Sequence, residues 1–162
     1  MTQTNPFPGH VEDVADVGTS SPRALVICAD VTPEPIDTAR LADAVADPAA
    51  GAVATFDGRV RNHDGGRGVI AINYAAHPSA NAVIAGIAAE IADRPGLRKV
   101  CVMHRVGDLA VGDTALAVAV SADHRVAAFD AVHDIVEEVK TRLPVWKQQL
   151  FTDGSSTWSN LP

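Results

Sequence analysis

Apolar residues along this chain repeat with two periods, and each change of period marks a new element. Leu25, Val26 and Ile27 open a first strand, and Ile36, Leu41 and Val45 predict a short helix over 35–45 that Asp47 and Pro48 end. The run from Val53 to Val60 alternates in period two and predicts a strand. Asn62 to Gly68 is polar and glycine-rich and reads as a loop, and Val69 to Tyr74 predicts another strand. Ala80, Val83, Ile84, Ile87, Ala88 and Ile91 then recur at helical spacing behind Ser79, the expected cap, until Arg94, Pro95 and Gly96 close the helix. Lys99 to Val106 and Thr114 to Val120 predict two strands joined by GDLAVGD, a turn-rich link that suits an antiparallel pair. His104, at the end of the first of these, reads as a hydrogen-bonded structural histidine. Gln148 to Phe151 and Ser155 to Trp158, around Asp153 and Gly154, predict a terminal hairpin.

Between these strands and the hairpin lies the stretch that organises the rest, SADHRVAAFDAVHDIVEEVKTRLPVWK, from Ser121 to Lys147. Phe129, Val132, Val136, Val139 and Leu143 draw one apolar stripe down a helix, with Lys140 at its border. Ser121 or Asp123 is the expected N-cap, which puts His124 and Arg125 at the first turn, where unpaired amides already make the potential positive. An anion there would be held by amides, guanidinium and imidazole together; the alternative is that Arg125 pairs with Asp123 or Asp130. Pro144 stops the helix near Arg142. A bend anchored by Trp146 could then turn Lys140 and Lys147 towards one pocket, where partial burial would favour acid, base or nucleophile chemistry; the alternative is an exposed lysine pair. Arg59 and Arg61 leave their strand on one face beside the glycine-rich loop, with His63 and Arg67 as mobile helpers for an anionic ligand; the alternative is a solvated strand end with salt bridges.

Composition narrows the classes. The 162 residues suit one domain with a substantial core, and the low-periodicity Pro, Gly, Ser and Thr mixture of 1–22 reads as a flexible leader before a single domain at 23–162. A formal net charge of -7 argues against a protein that lives on nonspecific phosphate contacts, so nucleic acid is not an expected partner. No apolar run approaches bilayer length and no signal-like N-terminus is present, so a cytoplasmic protein without membrane contact is expected. Cys28 and Cys101 lie in separate apolar runs, as buried structural thiols do; a disulfide between them is allowed but not required, and no metal-ligand spacing is present. The element order gives an α+β fold, a mostly antiparallel sheet with helices packed on one face.

Four ordered motifs add a resemblance. GAVATFDGRVRNH, HRVGDLAVGD, the ADHR before Val126, and KTRLPVWK, spread from Gly51 to Trp158, are similar to the large, catalytic subunit of molybdopterin synthase, the MoaE family. That resemblance implies an α/β hammerhead with a small added β subdomain. It implies an enzyme of molybdenum cofactor biosynthesis, a sulfurtransferase that converts cyclic pyranopterin monophosphate to molybdopterin by installing two sulfurs. The sulfur comes from a small ubiquitin-like carrier whose C-terminal Gly-Gly ends in a thiocarboxylate, and a homodimer of large subunits sits within a heterotetramer. By matching position, Lys140 corresponds to the essential lysine that meets the carrier's terminal glycine and Lys147 to the second active-site lysine. Arg59, Val60, Arg61, His124, Arg125, Gln148 and Gln149 correspond to substrate contacts, and Phe56 to the carrier-tail pocket. The family often has lysine where this chain has Arg59, and Arg-Glu where it has Gln148 and Gln149. No cofactor is expected, because a thiocarboxylate is already an activated sulfur nucleophile. Two other classes stay open at this point. One is a noncatalytic module that binds a ubiquitin-like tail or a phosphorylated metabolite, and the other is a ferredoxin-like ligand sensor with no carrier.

Overall fold

The computed structural model of the chain describes residues 22–159, so the leader expected at 1–22 lies, apart from Pro22, outside the described residues. Two sheets meet along the chain. The first has the order β1 (Leu25–Thr32), β5 (Leu97–Arg105), β7 (Thr114–Ala122), β2 (Ala52–Arg59). Only its β1–β5 pair is parallel; β5–β7 and β2–β7 are antiparallel. The second sheet runs β3 (His63–Asp64), β4 (Arg67–Ala76), β8 (Val145–Phe151), β9 (Ser156–Ser159), with β6 (Gly107–Ala110) paired to β4. The α+β class, mostly antiparallel pairing and small β subdomain are thus all present.

The first sheet is covered on both faces, not on one as the sequence suggested. Its central strand β7, TALAVAVSA, has no outward polar position: Val118 and Val120 face one way, Ala117 and Ala119 the other, and all four are fully buried. The valine side packs with Val100 and Val102 under α2 (Ala80–Ala92) and α3 (Arg125–Arg142), through Ile84, Ile87, Ala128, Ala131, Ile135 and Val139. The alanine side receives α1 (Thr38–Ala44) through Leu41 and Val45. A strand buried on both faces loses its polar alternation, and that loss is the sequence sign of the second cover. Cys28 and Cys101 are partners in the β1–β5 register, with Cα atoms 4.6 Å apart, and form a disulfide within the α1-side core.

Three local expectations change. The glycine-rich stretch is not simply a loop: His63 and Asp64 pair with Gly68 and Arg67. Gly65 and Gly66 take φ of 56° and 78°, the two left-handed residues a tight two-residue hairpin turn needs. The GDLAVGD link contains β6, which leaves the first sheet to join β4. Ser79 sits at the start of α2 but its hydroxyl bonds His77 Nδ1 at 2.8 Å and caps nothing.

Candidate active site

Helix α3 aims the site. Val132, Val136, Val139 and Leu143 of the expected stripe are buried, but Phe129 is 63% exposed and its place inward is taken by Ala128, Ala131 and Ile135. Alanine at the first turns lets the helix lie close to β2 and β7, and that rotates Phe129 outward. Neither Ser121 nor Asp123 caps the helix. Ser121 is buried at the end of β7, Asp123 is held by Arg98 at 2.5 Å, and the cap position falls to His124 in an extended conformation. Arg125 is the first helical residue, and Asp123 is therefore not its partner.

At its other end α3 stops at Arg142, Leu143 turns extended at φ -71° and ψ 120°, and Pro144 leads straight into β8. This turn brings Lys140 and Lys147 to one cavity of about 670 Å³ at the junction of the two sheets. The first sheet supplies a row of register partners, Gly58, Leu116 and His104, flanked by Phe56. The second supplies Tyr74 and Lys147, which are also partners across β4 and β8, so their side chains share a face. Phe56 lies against Gly58: a Cβ there would stand 2.7 Å from the phenyl ring, so this aromatic wall needs a glycine beside it.

Among the described residues the wall carries Arg59, Arg61, Lys140 and Lys147 and no carboxylate, although the chain as a whole is acidic. Arg59 is braced by Asp57 at 2.7 Å, and Thr114 donates to the other oxygen of that carboxylate at 2.8 Å. The Arg59 guanidinium holds the Asp57 carboxyl below the usual carboxylate range. Arg61 has a looser, exposed contact with Asp64 at 3.3 Å, the kind of pair an arriving anion displaces at small cost. Lys140 is exposed at the lip, where a second hollow of about 300 Å³ runs past Pro144 and Trp146, and Lys147 is half-buried.

Not every residue singled out in the sequence reaches this cavity. Val60 is buried in the second core with Val69, Ile72 and Leu109, bonding Asp113 and Gly112 through its backbone. Gln149 is buried against β4, and Gln148 contacts Ser156. His63 bonds Asn62, while Arg67 stacks 3.6 Å over the Phe151 ring and binds Asp153 and Ser155, so it is a fixed brace and not a mobile helper. His124 and Arg125 stand at the opposite end of α3. Fifteen residues at the helical rise separate Arg125 from Lys140 by about 22 Å.

Sequence reasoning missed His104 and Tyr74 as cavity residues. His104 is buried, and its Nδ1 donates to the Arg105 carbonyl at 2.8 Å. Its ring meets Tyr74 edge-on at 5.1 Å. Burial pushes the imidazole below its ordinary value of 6.5, and burial likewise raises the Tyr74 phenol. The sequence signals were parity, since His104 shares a strand face with Val100 and Val102, and its place at the head of the HRVGDLAVGD motif. A depressed folded-state pKa gives stability that is present above about 6.5 and is lost as pH falls towards the folded value. The His104→Asn variant, which can keep the bond to the Arg105 carbonyl, should therefore lose less stability than the native chain between about pH 7 and pH 5.5. Urea midpoints at the two pH values measure the difference. Equal losses would show that the ring titrates alike in the folded and unfolded chain.

The described residues contain no helix long and apolar enough to cross a membrane, and no group of three or more His, Cys, Asp or Glu residues placed to hold a metal ion. Residues 31–142 match the family model described as MoaE protein. The molybdopterin synthase catalytic subunit of Oryza sativa subsp. indica is 39% identical over 120 residues, 74% of this chain and 62% of that protein. The protein of the same name from Bacillus subtilis (strain 168) is 35% identical over 77% of this chain and 80% of its own length. Among solved structures, molybdopterin synthase from Staphylococcus aureus superposes with a TM-score of 0.75 at 32% identity, covering 82% of this chain and 97% of that one. The match therefore spans somewhat less than two thirds of the rice protein's length, and most of the two bacterial ones.

Proposed function

The chain belongs to the MoaE family, and we propose that it is the catalytic subunit of a molybdopterin synthase, acting in molybdenum cofactor biosynthesis on cyclic pyranopterin monophosphate. The observation that carries this reading is the convergence of Lys140, Lys147, Arg59 and Arg61 on one cavity whose wall holds no carboxylate. A phosphate-bearing substrate needs such a wall, and an acidic chain has little reason to build one otherwise.

The sulfur must come from outside. Both cysteines of the chain are joined to each other in the α1-side core and neither lines the cavity. A small ubiquitin-like subunit ending in a Gly-Gly thiocarboxylate fits, because its narrow tail can pass the hollow beside Pro144 and Trp146 and end at Lys140. In this reading Phe56 walls the tail, and Arg61 with the Asp57-braced Arg59 holds the substrate phosphate. Lys140 stabilises the oxyanion that develops at the tail's acyl carbon, and Lys147 serves as a second electrostatic clamp. Val60 supports this segment from the core through its backbone, and Gln148 and Gln149 would reach substrate only by way of β8.

His124 and Arg125 cannot serve the cavity of their own chain across about 22 Å of rigid helix. They belong to the substrate site only if a second copy presents them, so the functional unit is a homodimer of this chain within a heterotetramer, and residues 23–162 act as one domain in it. Reconstitution from the purified chain, thiocarboxylated carrier and cyclic pyranopterin monophosphate should yield the dithiolene product. Carrier binding without product would favour a noncatalytic docking module, and neither would favour a ligand sensor.

A further inference from the structure

We propose that His104 is the proton acceptor of this cavity, taking through Nε2 the proton of the water that frees the spent carrier tail. The inference rests on the sulfur-transfer reading above and adds a residue and a step to it.

The tautomer is set by geometry. A carbonyl oxygen can only accept, so the 2.8 Å contact between Nδ1 and the Arg105 carbonyl places the ring proton on Nδ1 and leaves the lone pair on Nε2. Among the described residues, the sealed interior side-chain atoms without a partner are Thr38 Oγ1, Arg105 Nε and Ser121 Oγ. His104 Nε2 is not one of them and has no hydrogen bond to a described residue, and His104 lines the cavity.

The other groups facing it cannot do this work. Arg59 and Arg61 from β2 and its end present guanidinium groups, which have donors and no acceptor. Lys140 from α3 and Lys147 from β8 present ammonium groups, again donors only. Tyr74 from β4 is held in its protonated form by burial. Next door, Arg105 is tied to Asp113 at 3.1 Å, and no carboxylate enters the wall. The remaining lining residues are glycine, alanine and apolar side chains. Burial keeps the imidazole neutral, which is the state a base requires.

The chemistry balances without redox. Once the thiocarboxylate sulfur is bonded to a substrate carbon, the carrier is held as an acyl thioester. Water adds to the acyl carbon as one of its protons moves to Nε2. The carbon–sulfur bond to the acyl group then breaks, the product keeps the sulfur as thiolate, and the carrier leaves as a carboxylic acid that loses its proton to solvent. The imidazolium returns its proton to the thiolate or to water. His104 has no part in the earlier bond to the substrate carbon.

The test uses the full chain with thiocarboxylated carrier and cyclic pyranopterin monophosphate. His104→Asn should keep carrier affinity, fall about 10²–10⁴-fold in turnover, and accumulate the covalent carrier–substrate thioester seen by intact-mass spectrometry. In His104→Ala, added imidazole should restore part of the rate. Turnover of His104→Asn within about threefold of the native chain, or a loss that appears wholly in KM, overturns the assignment. A native chain that makes no product removes the sulfur-transfer reading and this step with it. If neither variant folds, ¹⁵N shifts of the native His104 ring decide: a neutral ring with bare Nε2 supports the proposal, and a protonated Nε2 at neutral pH overturns it.

Discussion

Replacing Lys140 with alanine should abolish product formation, by about 10²-fold or more, while carrier affinity changes little. Lys140 stands in the last turn of α3, exposed at the lip shared by the main cavity and the hollow beside Trp146. Its ammonium therefore meets whatever passes from one to the other, and on the proposed path that is the acyl carbon at the tip of the carrier tail. A positioned cation at a developing oxyanion acts on the transition state far more than on the bound tail, so the loss should fall on the chemical step. The substitution should leave the fold alone, since alanine is the best helix former and Lys140 is exposed. Lys140→Arg should fail nearly as badly: it keeps the charge but replaces a compact point charge with a planar fork. Single-turnover product formation and calorimetric carrier binding, measured side by side, check both expectations. Normal turnover in Lys140→Ala would remove the lysine from the mechanism, and loss of carrier binding would reassign it to docking.

The convergence of the two lysines was legible in the sequence because its cause is local. Pro144 cannot continue a helix and restricts Leu143, so the chain must turn between Lys140 and Lys147, and the observed dihedrals of Leu143 are that turn. The terminal hairpin and most strand positions were legible for the same reason. What escaped depends on partners far along the chain. Asp123 is an excellent cap by type, but Arg98 on β5 takes its carboxylate, and a capping residue spent on a cross-strand ion pair leaves His124 at the cap. Phe129 fits the apolar period, yet helix rotation is decided by which face lies flattest on β2 and β7, and the alanines win. His104 shows the limit most plainly. A strand-end histidine is more often structural than chemical, and only the register of three strands puts this one beside Gly58 and Leu116 on the cavity wall.

Mixing two inactive variants should restore activity if the substrate site is built across a pair of chains. On that arrangement Arg125→Ala alone should be severely impaired in cyclic pyranopterin monophosphate turnover, because it would remove a cation from the phosphate site of the partner chain. Lys140→Ala should be inactive for the reason above. In a mixed dimer one of the two sites combines both lesions, and the other combines an intact Lys140 with an intact Arg125. Random pairing of equal amounts gives half mixed dimers, so about a quarter of all sites should be whole, and the mixture should regain about that share of native activity. Separate refolded pools that are blended without exchange should stay inactive, which excludes simple contamination. Helix α3 makes the test decisive: it holds Arg125 about 22 Å from Lys140 in one chain, a distance no side-chain rearrangement closes. Absence of recovery in verified mixed dimers would mean that His124 and Arg125 serve an anion elsewhere and that the cavity binds its phosphate through Arg59 and Arg61 alone.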